Sequence, residues 1–218
     1  MKLHPLGNIM TELIDKSYFL QLRDANPQKI CRKGRCSFSA DIQQYSLQIW
    51  GNQYLIDLAN ENIGHILTNA LQPHEYFDLM AVNYLLCPKD TLLSGEWISE
   101  KDLPGGSTFF RGPHRIPTDL ISKRFNNDLQ NFKNRCEQLG GTPIKMADAA
   151  FCFSITPDIP VAVLYWVGDE DFPAEAKILY DRSIIELLTL DILFALAVGV
   201  CAGVGTAVEE KDTESSLL

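Results

Sequence analysis

Several small groups of residues in this 218-residue chain have the types and spacing to do chemistry. Cys31 and Cys36 frame a basic run, K-I-C-R-K-G-R-C. Their C-x4-C spacing is wider than the C-x2-C of zinc and redox motifs, and no second ligand pair is evident, so a structural loop is expected rather than a metal site. Arg32, Lys33 and Arg35 would lower a neighbouring thiol pKa, which leaves a reactive cysteine open. Asp169, Glu170 and Asp171 follow Gly168 in a strand-end turn, a place where ligands collect in open sheets. They lack the spaced carboxylates of a calcium loop, and a solvated turn whose acids cap the next segment is the plainer expectation. Leu103-Pro104-Gly105-Gly106 could bring bare backbone up to a flat ligand or an anion, or form an ordinary tight turn. His4, His65, His74 and His114 are scattered. Any one could be an axial ligand to a tetrapyrrole metal, though a lone histidine is as a rule a surface or core residue. There is no G-x-S-x-G, no Walker loop and no G-x-G-x-x-G.

The totals narrow the classes. At 218 residues, 46% apolar and 22% charged, the chain can bury a real core in one large domain or two small ones. Nineteen Lys and Arg against 28 Asp and Glu leave a formal charge of −9. That disfavours a nucleic-acid binder with a broad basic surface and charge-driven docking on an anionic membrane. The first residues, M-K-L-H-P-L-G-N-I-M-T-E, lack an apolar signal core, so a cytoplasmic chain with reduced thiols is expected. Cys87, Cys152 and Cys201 lie in apolar patterns, as small core residues do.

The elements that must position these groups follow from periodicity. Met10, Leu13, Ile14, Phe19 and Leu22 predict a helix over 8–24, capped by Asn8 or Thr11 and ended by Pro27. Tyr45, Leu47 and Ile49, then Tyr54, Ile56 and Leu58, alternate about a turn at Gly51-Asn52 and predict a hairpin. Residues 60–64 read as a loop. Pro73-His74-Glu75 opens a helix that runs to Cys87 and is stopped by Pro88. Short strands are expected at 96–103 and 108–110, and a helix from Thr118 through Cys136, closed by Gly140-Gly141. Strands follow at 149–155 and 161–167. The latter, apolar at every position, suits the centre of a sheet, and Ile178 to Tyr180 makes its return. The remainder, 183–208, reads as mainly helix. Its charge-free run from Ile192 to Val208 is barely long enough to span a bilayer, and Gly199, Gly203 and Gly205 favour burial in the domain or in a homodimer contact. The fold expected is a single α+β domain over 1–208, a mostly antiparallel sheet with helices packed on it, and a polar tail over 209–218.

Taken together, Tyr45-Ser-Leu-Gln-Ile-Trp-Gly-Asn-Gln-Tyr54, Gly95-Glu-Trp97, Asp102-Leu-Pro-Gly-Gly106, Leu139-Gly-Gly141, Ile159-Pro160, Trp166-Val-Gly-Asp-Glu-Asp-Phe-Pro173 and Ile178-Leu-Tyr-Asp-Arg-Ser183 resemble a family. It is the bacterial and archaeal domain of unknown function 3786. The resemblance covers roughly residues 10 to 195, with motifs specific as a set and weak singly. It implies a protein of anaerobes, some of whose relatives carry an iron–sulfur segment similar to that of the corrinoid iron–sulfur protein of acetyl-CoA synthesis. One-carbon or redox chemistry with a corrinoid is the hint. No residue receives a role from it, and this chain has no cysteine-rich segment of that kind.

The expectation drawn from residues and resemblance is a binding or carrier protein rather than an enzyme. Its best ligand is a corrinoid or related tetrapyrrole such as haem, since flat macrocycles want aromatic and aliphatic walls with a few placed polar groups. The candidate ligand-binding residues are Trp97, Gly105, Gly106, Phe109, His114, Trp166, Asp169 and Asp171. The alternative is an accessory domain that docks on a redox or methyl-transfer protein through the basic 29–35 loop.

Overall fold

Alternating apolar residues in the first half and a fully apolar strand in the second build two separate antiparallel sheets over a shared hydrophobic core. The computed structural model describes residues 14–32, 35–69, 71–87 and 89–206. The fold is α+β. The first sheet is a meander of β1 (Ser37–Ser39), β2 (Gln44–Ile49), β3 (Asn52–Asp57) and β4 (Asn62–Ile66). Tyr45, Leu47 and Ile49 on β2, with Tyr54 and Ile56 on β3, point to the core as their alternation predicts. The hairpin turn sits one residue earlier than expected. Trp50 and Gly51 both have positive φ, 45° and 79°, the pair a mirror-image turn requires. Asn52 is thereby freed to enter β3, where its buried amide donates to the Leu71 carbonyl at 3.0 Å and accepts from the Thr68 N–H at 2.9 Å. The stretch 60–64, expected as loop, instead enters β4 at Asn62 because β3 pairs with 62–66, although N-I-G-H-I carries little strand signal of its own.

The second sheet comprises β5 (Trp97–Ile98), β6 (Thr142–Pro143), β7 (Ala149–Thr156), β8 (Ile159–Trp166) and β9 (Glu175–Asp181), in the order β5-β9-β8-β7-β6. The central place of β8 explains its unbroken apolar run. Val161, Val163 and Tyr165 enter the main core, while Ala162 and Leu164 enter a smaller cluster on the opposite face. Both edges of this sheet are strands of two residues.

Helix α1 (Lys16–Asp24) is capped by Asp15, whose carboxylate accepts the Ser17 N–H at 2.7 Å. The expected caps Asn8 and Thr11 lie outside the described residues. Pro27, expected to end that helix, instead opens α2 (Pro27–Ile30) at its first position, behind the Asn26 cap. Helix α3 (Glu75–Leu86) starts at His74 as expected. Where a strand is expected at 108–110 the chain forms α4 (Gly106–Phe109), because Gly105 at φ 77° folds it into a helical turn. The single helix expected after Thr118 is two, α5 (Asp119–Phe125) and α6 (Leu129–Gln138). Asn126 at φ 48° breaks the first, and Asp128 caps the second. The chain then closes with α7 (Ile184–Leu187) and α8 (Leu190–Gly205).

The glycine-bearing run is the buried heart of the helical layer. On α8, Ile192, Leu196, Ala197, Val200 and Cys201 are 2% exposed or less, and the helix packs on α3 and α5. No helix among the described residues is long and apolar enough to cross a membrane. Two guanidinium groups close its C-terminal end. Arg135 donates to the Gly203 carbonyl at 2.7 Å, and Arg124 to the carbonyls of Val204 and Thr206. Trp50 fastens the two sheets together. Its N–H donates to the Ile155 carbonyl at 2.7 Å, its indole N–H to that of Leu139 at 3.0 Å, and its ring meets Phe77 and Phe153.

Candidate functional site

The turn that ends in Gly105-Gly106 faces the start of α8 across a groove of about 310 Å3. Leu103 and Pro104 form one wall, and Ile185, Leu188, Leu190 and Leu193, with Thr189 among them, form the other. The two glycines serve different ends. A Cβ on Gly106 would collide with the Glu100 carbonyl, so its absence is what lets the turn close. Gly105 is exposed with positive φ and lies across from the Leu190 side chain, so it presents bare backbone beside the groove. Next to it the His114 ring stacks on Phe109, with centroids 4.5 Å apart and planes at 17°, and meets the edge of Phe194. Leu190 and Phe194 stand one turn apart on α8, which makes the groove and the imidazole neighbours on one helix face. The result is an apolar slot with one exposed imidazole on its rim.

Four of the eight candidate residues, Gly105, Gly106, Phe109 and His114, lie beside the groove, though none of them lines it. The other four are not beside it. Trp97 and Trp166 pack on the far face of the second sheet, against the cluster of Ala150, Ala162 and Leu164, and the Lys177 ammonium lies over the Trp166 ring. Asp169 and Asp171 form the corner after β8. One Asp169 carboxylate oxygen accepts the N–H groups of Asp171 and Phe172 at 2.9 and 2.8 Å, the self-capped turn that was the plainer expectation. Gly168 is needed because a Cβ would fall 2.7 Å from the Ala174 nitrogen.

Three polar centres lie elsewhere. Cys31 and Cys36 bring their sulfurs to 2.8 Å. Between them in sequence, Arg35 turns inward rather than joining a surface patch. It pairs with Asp158 at 2.7 Å, donates to the Lys89 carbonyl and lies over the Tyr84 ring. Burial, and then hydrogen bonding to Cys31, pushes the Cys36 thiol well above its ordinary range and outweighs the lowering by Arg35. His65 on β4 meets the Asp78 carboxylate on α3 at 2.6 Å. Burial raises that carboxyl, and the bond to His65 offsets part of the rise. This pair ties the meander to the helix layer, and its thirteen-residue separation carried no sequence signal. Asp181 is the third. It accepts from the N–H and hydroxyl of Ser94 and the N–H groups of Gly95 and Ser183 at 2.7 to 2.9 Å. Burial alone would raise this carboxyl, but those donors hold it down, to about 2. Beside it Arg182 grips Glu96 through two bonds of 2.5 and 2.6 Å. The segments Gly95-Glu96-Trp97 and Asp181-Arg182-Ser183, far apart in the chain, are thus two halves of one joint.

Among the described residues no group of three or more His, Cys, Asp or Glu side chains could hold a metal ion. No curated protein and no solved structure matches the chain. The family model described as Domain of unknown function (DUF3786) matches residues 26–202, which take in both sheets, the groove and nearly all of α8, and the chain belongs to that family.

Proposed function

We propose that the protein is a small-molecule binding or carrier protein whose ligand seats an apolar edge in the groove between Leu103-Pro104 and α7–α8. The observation that carries the reading is the union of aliphatic walls, bare backbone at Gly105 and one exposed imidazole at His114. A corrinoid or related tetrapyrrole, in anaerobic one-carbon or redox metabolism, is the ligand class that the family resemblance adds. The residues present fit one edge of such a group. The volume lies at the lower end of ligand pockets, ~300–1,000 Å3, so most of a macrocycle would rest outside the slot. Leu103, Leu190 and Leu193 would hold the apolar rim, and His114 would offer a donor nitrogen. Bound there, the group would supply its own metal chemistry, and the protein would orient it and keep water from one edge. Adding cobalamin or haemin to the protein should shift the visible spectrum and give comigration on gel filtration at tens of micromolar. His114→Ala should remove the spectral shift, and Ile185→Arg, a change at an exposed groove position, should remove both. An unchanged spectrum with separate elution would sink the proposal.

A second reading, docking on a redox or methyl-transfer protein, is favoured by Lys29 and Arg32, which remain exposed beside the thiol pair on an acidic chain. Arg35 belongs to the core and is unsuited to testing it. Lys29→Glu with Arg32→Glu should weaken capture of an acidic partner, and equal capture would remove the loop from consideration.

A further inference from the structure

Cys31 and Cys36 stand where, among the described residues, each thiol has the other as a reaction partner. Cys31 closes α2, its N–H donating to the Pro27 carbonyl at 2.8 Å, and Cys36 leads directly into β1. Both are half-buried against the main core, with their sulfurs 2.8 Å apart. That is closer than sulfurs rest without bonding and not far from the ~2.05 Å of a disulfide. Arg35 is held on three sides, by Asp158, the Lys89 carbonyl and the Tyr84 ring, so the backbone that delivers Cys36 is fixed in place. Tyr45, wholly buried with its hydroxyl pushed up to about 12 by burial and by the two thiols, lies against the pair. Among the described residues they belong to no group of three or more side chains that could hold a metal ion.

We propose that Cys31 and Cys36 form a thiol–disulfide exchange site whose substrate is a disulfide, of a small thiol or of a partner protein. This site is separate from the groove and does not depend on what the groove binds. Cys31 gives its proton to solvent and attacks one sulfur of the incoming disulfide. That bond breaks, and the departing thiolate takes up a proton. Cys36 gives its proton to solvent and attacks the Cys31 sulfur of the mixed disulfide, expelling the second thiolate, which takes up a proton in turn. Two protein thiols are oxidised to one disulfide, and the external disulfide is reduced to two thiols. Burial raises the Cys36 thiol, which suits it to the second step.

The test uses the full-length reduced protein with two probes, oxidised glutathione and an oxidised thioredoxin-type protein, followed by alkylation and peptide mass mapping. With either probe, iodoacetamide labelling at Cys31 and Cys36 should fall about tenfold, with a bond mapped between them, and return after dithiothreitol. A response to glutathione alone identifies the small-thiol source, and a response to the protein probe alone identifies the partner source. Cys36→Ser should trap a mixed disulfide at Cys31, and Cys31→Ser should slow adduct formation at Cys36. Unchanged labelling with both probes in a protein whose circular dichroism is native would overturn the proposal. So would stable adducts on both cysteines of the wild type with no bond between them.

Discussion

Ser94, Gly95 and Ser183 all turn hydrogen-bond donors toward one carboxylate, that of Asp181, which is only 5% exposed. Because its folded pKa, about 2, lies below the ordinary 3.8, the charged form stabilises the fold above the ordinary value. That contribution, about 2 kcal/mol, is lost as pH falls from 3.8 toward 2. Urea unfolding followed from about pH 5 downward should show this loss in the wild type and a flatter acid limb in Asp181→Asn. A variant with the wild-type acid profile would mean that the carboxylate is not what holds the 94–97 segment. At Arg35 the argument is about pairing rather than titration. Arg35→Met should cost about 1.5–3 kcal/mol, since it leaves Asp158 with only the Tyr84 hydroxyl as a donor and takes one from the Lys89 carbonyl, and urea unfolding at neutral pH measures it. No sequence pattern distinguishes Arg35 from its basic neighbours. Only the fold, which brings Asp158 to it across 123 residues, does so.

Among the elements, α8 is the one whose glycines do the positioning. A Cβ at Gly199 would stand 3.0 Å from the Phe77 ring, and one at Gly203 would stand 2.7 Å from Leu71 and 3.0 Å from Trp50. Phe77 is fully buried and has no room to withdraw. Gly199→Leu should therefore destabilise by at least about 1–3 kcal/mol, read as a lowered urea midpoint, and a neutral result would place α8 off α3. This burial was legible because seventeen charge-free residues with glycines at helical spacing admit few alternatives. The 118–136 stretch was harder. Apolar periodicity continues through Asn126, and no local pattern announces the positive φ there or the Tyr165 hydroxyl that donates to its carbonyl. β8 shows the converse limit. An unbroken apolar run announces a central strand yet hides which residue faces which way, and it does not show that Trp166, a candidate ligand-binding residue, packs with Ala162 and Leu164 away from the main core. Half of the groove was readable from the Pro-Gly-Gly turn. The facing half, Ile185 to Leu193, comes from more than eighty residues later and left no local trace.

At the scale of the whole molecule, one core spans both sheets, and Trp50 is its rivet. Trp50→Ala should cost about 3–5 kcal/mol, and the two sheets should still be lost together, with far-ultraviolet and tryptophan signals giving coincident urea transitions. Separate transitions would show that each sheet is stable by itself. The two-residue strands at both margins of the second sheet have a consequence for association. A sheet grows by offering a row of free N–H and C=O groups to another chain, and β5 and β6 are too short to offer one, the more so as β6 ends in Pro143. The first sheet is less guarded. Its β4 margin runs five residues and leads into Ile66 and Leu67, 43% and 46% exposed. Among the described residues, lateral pairing, whether a lent strand or a fibril seeded under stress, is thereby favoured at the five-residue β4 rim over the three-residue β1 margin, and Ile66→Lys should block it.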